Sequence, residues 1–248
     1  MNAMTTSSNA TPYVLQVEEV AINYGGVKAL DGVSLTLAAG QIRGLIGPNG
    51  AGKSTVIDAI TGRRRLTRGR VMLRGEDVSE LGAVARRRRG LSRSFQRTSV
   101  FAQMKVREQV ELASHKMGVA DSSEEADAVL RELDLLRLAE VTAEDLGYGE
   151  QRRLDLALAL VGRPSVLLLD EPMAGLSVQE SHDLARHLKQ LISRWSVSVL
   201  LVEHDMDVVF GISDEITVFE LGRVIAGGKP DEVRANPRVR EAYLGSAA

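Results

Sequence analysis

The stretch GPNGAGKST at residues 47–55 limits this chain's fold more than any other. It satisfies G-x-x-x-x-G-K-[ST], in which glycines let consecutive backbone N–H groups turn inward as an anion nest while the following helix adds the positive end of its dipole. The pattern alone also arises by chance, so its context decides. IRGLIG at 42–47 reads as a buried strand, and a helix is expected from near Lys53 through STVIDAITG, stopping at Gly62. In that setting Gly47, Pro48, Asn49, Gly50, Ala51, Gly52, Lys53, Ser54 and Thr55 form a nucleotide-binding loop. Lys53 reaches the β- and γ-phosphates, and the Ser54 hydroxyl ligates Mg²⁺.

A loop of this kind belongs at the end of a parallel strand, and the rest of the chain supplies such a sheet. VLLLDEP and VSVLLVEHD are buried-strand runs separated by a helix expected at about 178–195. VLQVEEVAI at 14–22, VSLTL at 33–37 and GRVMLRGEDV at 69–78 alternate like half-exposed antiparallel strands. From about 100 to 160 the pattern turns helical, with EEADAVLRELDLL at 124–136 carrying a clear amphipathic period. VLLLDEP ends in two carboxylates at the strand terminus, where an α/β sheet forms its ligand crevice. Asp170 is a candidate to hold Mg²⁺ and Glu171 to polarise an attacking water; a carboxylate pair capping a helix is the plainer reading, weakened by the phosphate loop.

Bulk properties exclude several classes. Lys and Arg total 31 against 33 Asp and Glu, a formal net charge of −2, so the chain is no polycation built for nucleic acid. Twelve arginines do fall between Arg63 and Arg97 with only three carboxylates, including RRRR at 86–89. A nucleic-acid face is the least favoured reading, with few interleaved aromatics and no groove-reading motif; they read as a solvated basic face or as a surface toward an acidic membrane partner or anionic lipid. The absence of cysteine excludes a disulfide scaffold and fits a reducing compartment. Residues 1–12 are expected to be a disordered leader rather than a secretion signal. The apolar runs are far below the roughly 18 residues that span a bilayer.

These motifs, in this order, resemble the nucleotide-binding subunit of ATP-binding cassette (ABC) transporters, over about Tyr13 to Leu244. The resemblance implies an α/β fold: a P-loop NTPase core with a mostly parallel sheet, an N-terminal antiparallel β subdomain, and a helical subdomain inserted between the Gln96 loop and the signature loop. It implies one domain, 13–248, and an ATPase using ATP and Mg²⁺. Tyr24 falls where the family stacks an aromatic on adenine. Gln96 matches the glutamine that contacts Mg²⁺ and senses the γ-phosphate, and His204 the histidine that bonds it; a histidine after a strand is otherwise more often structural.

LGYGEQ at 146–151 lies where the family carries its LSGGQ signature loop, so Gly147, Tyr148, Gly149 and Glu150 would face ATP bound by a second ATPase subunit. Gly147 replaces the usual serine, and Ser177 ends a loop that usually ends in aspartate or asparagine. Both departures fall on the surface offered to the partner, which points to a heterodimer with unequal sites, a homodimer being the simpler alternative.

Residues 201–245 and LGYGEQRRL resemble the ATP-binding subunits of branched-chain amino acid importers. That resemblance implies two transmembrane permease subunits, an indirectly coupled periplasmic solute-binding protein, a peripheral position on the cytoplasmic face of the inner membrane, and no nucleic acid. Alternatives are a lipopolysaccharide-type exporter ATPase, a soluble ABC ATPase acting on nucleic acid or ribosomes, and a small-molecule kinase, which would lack the signature loop.

Overall fold

The computed structural model describes residues 13–94 and 99–241. Gln96, the leader at 1–12 and the AYLG at 242–245 therefore lie outside the described residues.

Two sheets pack together. The first is antiparallel, with β1 (Tyr13–Tyr24), β2 (Val27–Ala38), β4 (Arg68–Leu73) and β5 (Glu76–Asp77) in the order β2-β1-β4-β5. The second contains β3 (Ile42–Ile46), β6 (Leu91–Ser94), β7 (Val166–Asp170), β8 (Ser198–Val202), β9 (Glu215–Glu220) and β10 (Arg223–Gly228), ordered β10-β9-β3-β8-β7-β6. All neighbours in it are parallel except the β9–β10 hairpin.

The apolar runs in β7 and β8 are explained by burial on both faces. Leu167, Leu169, Val199 and Leu201 join a core with the helices on one face of the sheet, while Val166, Leu168, Leu200 and Val202 join one with the antiparallel sheet.

The structure lengthens or divides several expected strands. The segment at 69–78 is two strands, because Arg74 and Gly75 both take positive φ (51° and 81°) and turn the chain. β1 extends beyond 14–22 with register shifts on either side of Val20, beside Glu19 at φ 49°. Polar β6 has no strand-like pattern, yet it is buried because its serines are paired: Ser92 Oγ donates to the Ala159 carbonyl at 2.6 Å and Ser94 Oγ to Asp155 Oδ2 at 2.5 Å.

Between β6 and β7 lie α3 (Val106–Lys116), α4 (Ser122–Glu132) and α5 (Tyr148–Leu160). Asp121 caps α4 by accepting from the N–H groups of Ser123 and Glu124. The amphipathic stretch expected at 124–136 stops early, at Asp134 with φ 54°, and continues as a single 3₁₀ turn, Leu136–Leu138. α1 (Lys53–Ile60) follows β3, and α6 (Val178–Trp195) joins β7 to β8.

The arginine stretch is not all solvated. Arg86, 1% exposed in the short helix α2 (Ala83–Arg88), donates to the carbonyls of Ala59, Ile60, Ser79 and Leu81, and so closes the C-terminal end of the helix behind the phosphate loop. Arg87 likewise donates to Val161 and Ala159 at the end of α5.

Candidate functional site

Strands β3, β8 and β7 are adjacent and parallel, so their C-terminal ends bring three loops to one edge of the sheet. Gly47 follows β3, Asp170 ends β7, and Glu203 and His204 follow β8.

The loop after β3 needs glycine at 47, where φ is 150° and any Cβ would run into the Phe219 carbonyl. The tip of the β9–β10 hairpin braces it from the side, with Gly222 N–H donating to the Ala51 carbonyl at 2.9 Å. Lys53 is buried at the first position of α1, and its Nζ donates to the carbonyls of Gly47 (2.6 Å) and Pro48 (3.0 Å). Burial holds its ammonium below the usual lysine range, and the nearby charges of Glu171 and Asp170 pull it back up. Pro48, Asn49, Gly50 and Ser54 form the exposed side of the loop.

Asp170 is buried, with Oδ2 held by Arg93 Nη2 at 2.9 Å. Arg93 also bonds Asp58 of α1 at 2.5 Å. Burial pushes the Asp170 carboxyl up, and Arg93 opposes it. Glu171 takes φ 53°, a left-handed conformation that costs of order 1 kcal/mol for a non-glycine residue. Its N–H donates to the Val202 carbonyl at 2.8 Å, which fixes the turn against β8. The turn brings Glu171 Oε1 to 2.9 Å from His204 Nε2.

Two participants escaped the sequence reading. Arg93 pairs in register with Leu168 of β7, and an arginine inside a short strand was its only signal. Glu203, 3% exposed, accepts from the N–H groups of Met173 (2.7 Å) and His204 (2.9 Å), tying the loop after β7 to the loop after β8. Burial raises its carboxyl, and backbone bonds from Met173, His204 and Asp205 lower it. Glu203→Gln turns an NH₂ group toward one of those donors, so the change is expected to cost about 1–2 kcal/mol of stability in urea unfolding; an unchanged midpoint would remove Glu203 from this role.

Tyr24 ends β1 at a hairpin, 46% exposed, with the Arg64 guanidinium 5.7 Å from its ring centroid. For a divalent cation, the exposed Ser54 hydroxyl and the Asp170 carboxylate are hard oxygen donors. Among the described residues no three His, Cys, Asp or Glu side chains cluster into a metal site.

The stretch 147–150 forms a second helix terminus. Gly147 caps α5 with φ −60° and ψ 157°, and its N–H donates to Glu150 Oε2 at 3.0 Å. Glu150 lies 3.9 Å from Arg137 and 4.0 Å from Arg153. A Cβ on Gly149 would meet the Glu180 carboxylate, and a cleft of about 230 Å³ is lined by Gly147, Gly149, Glu150, Arg153, Leu176 and Glu180. Ser177 caps α6 through reciprocal bonds with Glu180. The contacts of Gly147, Tyr148 and Glu150 run to α5, the loop 173–177 and nearby arginines rather than to the Lys53 loop. Among the described residues no helix is long and apolar enough to cross a membrane.

Comparison with known proteins bears on the family and the fold. The family model "ABC transporter" matches residues 30–174, and the model "Branched-chain amino acid ATP-binding cassette transporter" matches residues 223–248. The chain is 38% identical to the high-affinity branched-chain amino acid transport ATP-binding protein BraF of Pseudomonas aeruginosa, covering 94% of this chain and 98% of that one. It is 37% identical to LivG of Escherichia coli, a protein described in the same words, over the same shares. A crystal structure of the ADP conformation of an ATP-binding cassette of an ABC transporter superposes with a TM-score of 0.85 at 29% identity, covering 94% of this chain and 99% of the other. A component of the ABC transporter complex cbiONQ from Clostridium perfringens also gives 0.85, at 28% identity, with 93% and 94% covered.

Proposed function

The chain belongs to the ABC transporter family of ATP-binding cassettes, and from that membership we propose that it is the ATP-hydrolysing subunit of an importer of branched-chain or related hydrophobic amino acids. One observation carries the chemical part of the reading: Glu171 and His204 meet at 2.9 Å on the sheet edge where Lys53 opens α1. The solute class is supported by the match over residues 223–248 and by the names of the relatives.

The phosphate loop and Lys53 bind the phosphates of ATP, and Tyr24 stacks on the base. Glu171 orients a water in line with the γ-phosphate and accepts its proton, while His204 holds the Glu171 carboxylate and bonds a γ-phosphate oxygen. Ser54, Asp170 and Gln96 would hold Mg²⁺, which supplies charge neutralisation at the β- and γ-phosphates when bound. Gln96 is assigned from the sequence alone. Asp170 keeps one oxygen on Arg93, so its other oxygen is the one offered to the cation.

The N-terminus of α5 would bind the γ-phosphate of an ATP held by a second ATPase subunit. Two permease subunits and, through them, a periplasmic solute-binding protein complete the assembly, with this chain peripheral on the cytoplasmic face. A soluble cassette acting on nucleic acid is disfavoured by Arg86, Arg87 and Arg93, which spend their charge on the protein's own carbonyls and carboxylates.

Affinity purification from membranes through a Glu171→Gln chain with ATP tests this assignment. Co-purification of two multi-span chains and an ATPase partner is expected; recovery of ribosomes or DNA instead would overturn it.

A further inference from the structure

The signature stretch and the catalytic loop are joined inside one chain, and the joint is Tyr148. Its hydroxyl donates to the Ala174 carbonyl at 3.0 Å. Its ring lies against Gly175, where φ is 81° and a Cβ would stand 3.0 Å from the tyrosine Cε1. The Arg152 guanidinium lies 5.8 Å from the ring centroid, and the same guanidinium reaches the Glu171 carbonyl at 3.4 Å. The loop it grips is short and braced. Ala174 N–H donates back to the Glu171 carbonyl at 3.2 Å, and Met173 N–H donates to Glu203, whose other oxygen holds His204 N–H. Two hydrogen bonds thus separate Tyr148 from the backbone of Glu171.

Tyr148 is 48% exposed, so water would satisfy its hydroxyl if the loop did not. The bond is therefore not needed to rescue a buried polar group; it fixes where the 173–177 loop stands relative to the α5 terminus. We propose that Tyr148 is a positioning residue that transmits phosphate binding at the α5 N-terminus to the Glu171–His204 pair of the same chain. This rests on the reading that the α5 terminus meets ATP held by a second subunit. Because the α5 terminus and Glu171 then serve different ATP molecules, Tyr148 makes the two nucleotide sites of the assembly depend on each other. Tyr148 is the first residue of α5, so an anion held on that first turn lies beside it.

The test is ATP turnover against ATP concentration in the membrane assembly purified through this chain, comparing the parent with Tyr148→Phe and Tyr148→Ala. Phenylalanine keeps the ring on Gly175 and removes only the hydrogen bond. The parent is expected to show a Hill coefficient above 1. Tyr148→Phe is expected to lower it toward 1 and to lower kcat roughly fivefold with KM for ATP within about twofold, the loss of one neutral hydrogen bond. Tyr148→Ala should add a larger kcat loss while melting within a few degrees of the parent. A Hill coefficient unchanged in Tyr148→Phe overturns the proposal even if Tyr148→Ala lowers it, because packing alone would then suffice. A parent that hydrolyses ATP without cooperativity overturns the shared-site reading itself, a separate outcome.

Discussion

Glu171→Gln is expected to lower steady-state ATP turnover by roughly 10²–10⁴-fold, the usual contribution of a positioned general base, while ATP binding stays within about threefold of the parent. The amide is nearly isosteric and keeps an oxygen for His204 at the 2.9 Å contact, so the left-handed turn at Glu171 and its bond to Val202 persist. What disappears is the carboxylate proposed to take the proton of the attacking water. Turnover by phosphate release, with binding followed by a fluorescent ATP analogue, separates the two effects. Parallel loss of binding would mean that Glu171 holds the nucleotide; retained turnover would move the base elsewhere.

Gly147→Ser should act in the opposite direction. The backbone at 147 is extended rather than left-handed, and an added Cβ meets only Glu150 Oε2, at 3.6 Å, so serine fits without strain. Its hydroxyl would stand at the first turn of α5 as a donor to a γ-phosphate. A hydrogen bond to a charged group contributes about 1.5–3 kcal/mol. In a Glu171→Gln background, the ATP concentration that drives two copies together on a sizing column should therefore fall roughly ten- to hundredfold. If the parent already pairs tightly with itself, the unequal heterodimer inferred from Gly147 fails. If serine changes nothing, the α5 terminus does not meet a γ-phosphate.

Much of the site was legible because its chemistry is local in sequence. The glycines, Lys53 and Ser54 fall within one loop and one helical turn, and the carboxylates end an apolar strand, so motif spacing together with the strands and helix expected around it pointed to them. Arg93 and Glu203 were not legible for the opposite reason. Each is defined by partners on other strands: Arg93 by Asp58 and Asp170, Glu203 by the backbone of Met173 and His204. A charged residue inside a short strand looks like a defect until its neighbours are known. β6 was missed on the same ground, since its buried serines are satisfied by α5, and the arginine stretch looked solvated because nothing in RRRR says that Arg86 closes a helix end. The position of the signature loop could be read, whereas its bond from Tyr148 to Ala174 joins residues whose proximity no periodicity reveals.

The brace between Gly222 and Ala51 bears on how the protein is made. The phosphate loop is encoded early, but its shape is set by Phe219 and Gly222, which are synthesised far later. A nascent or truncated chain ending before that hairpin has every residue of the nucleotide motif and lacks the wall that holds it in form. The phosphate loop therefore gains this wall only after the β9–β10 hairpin has been made.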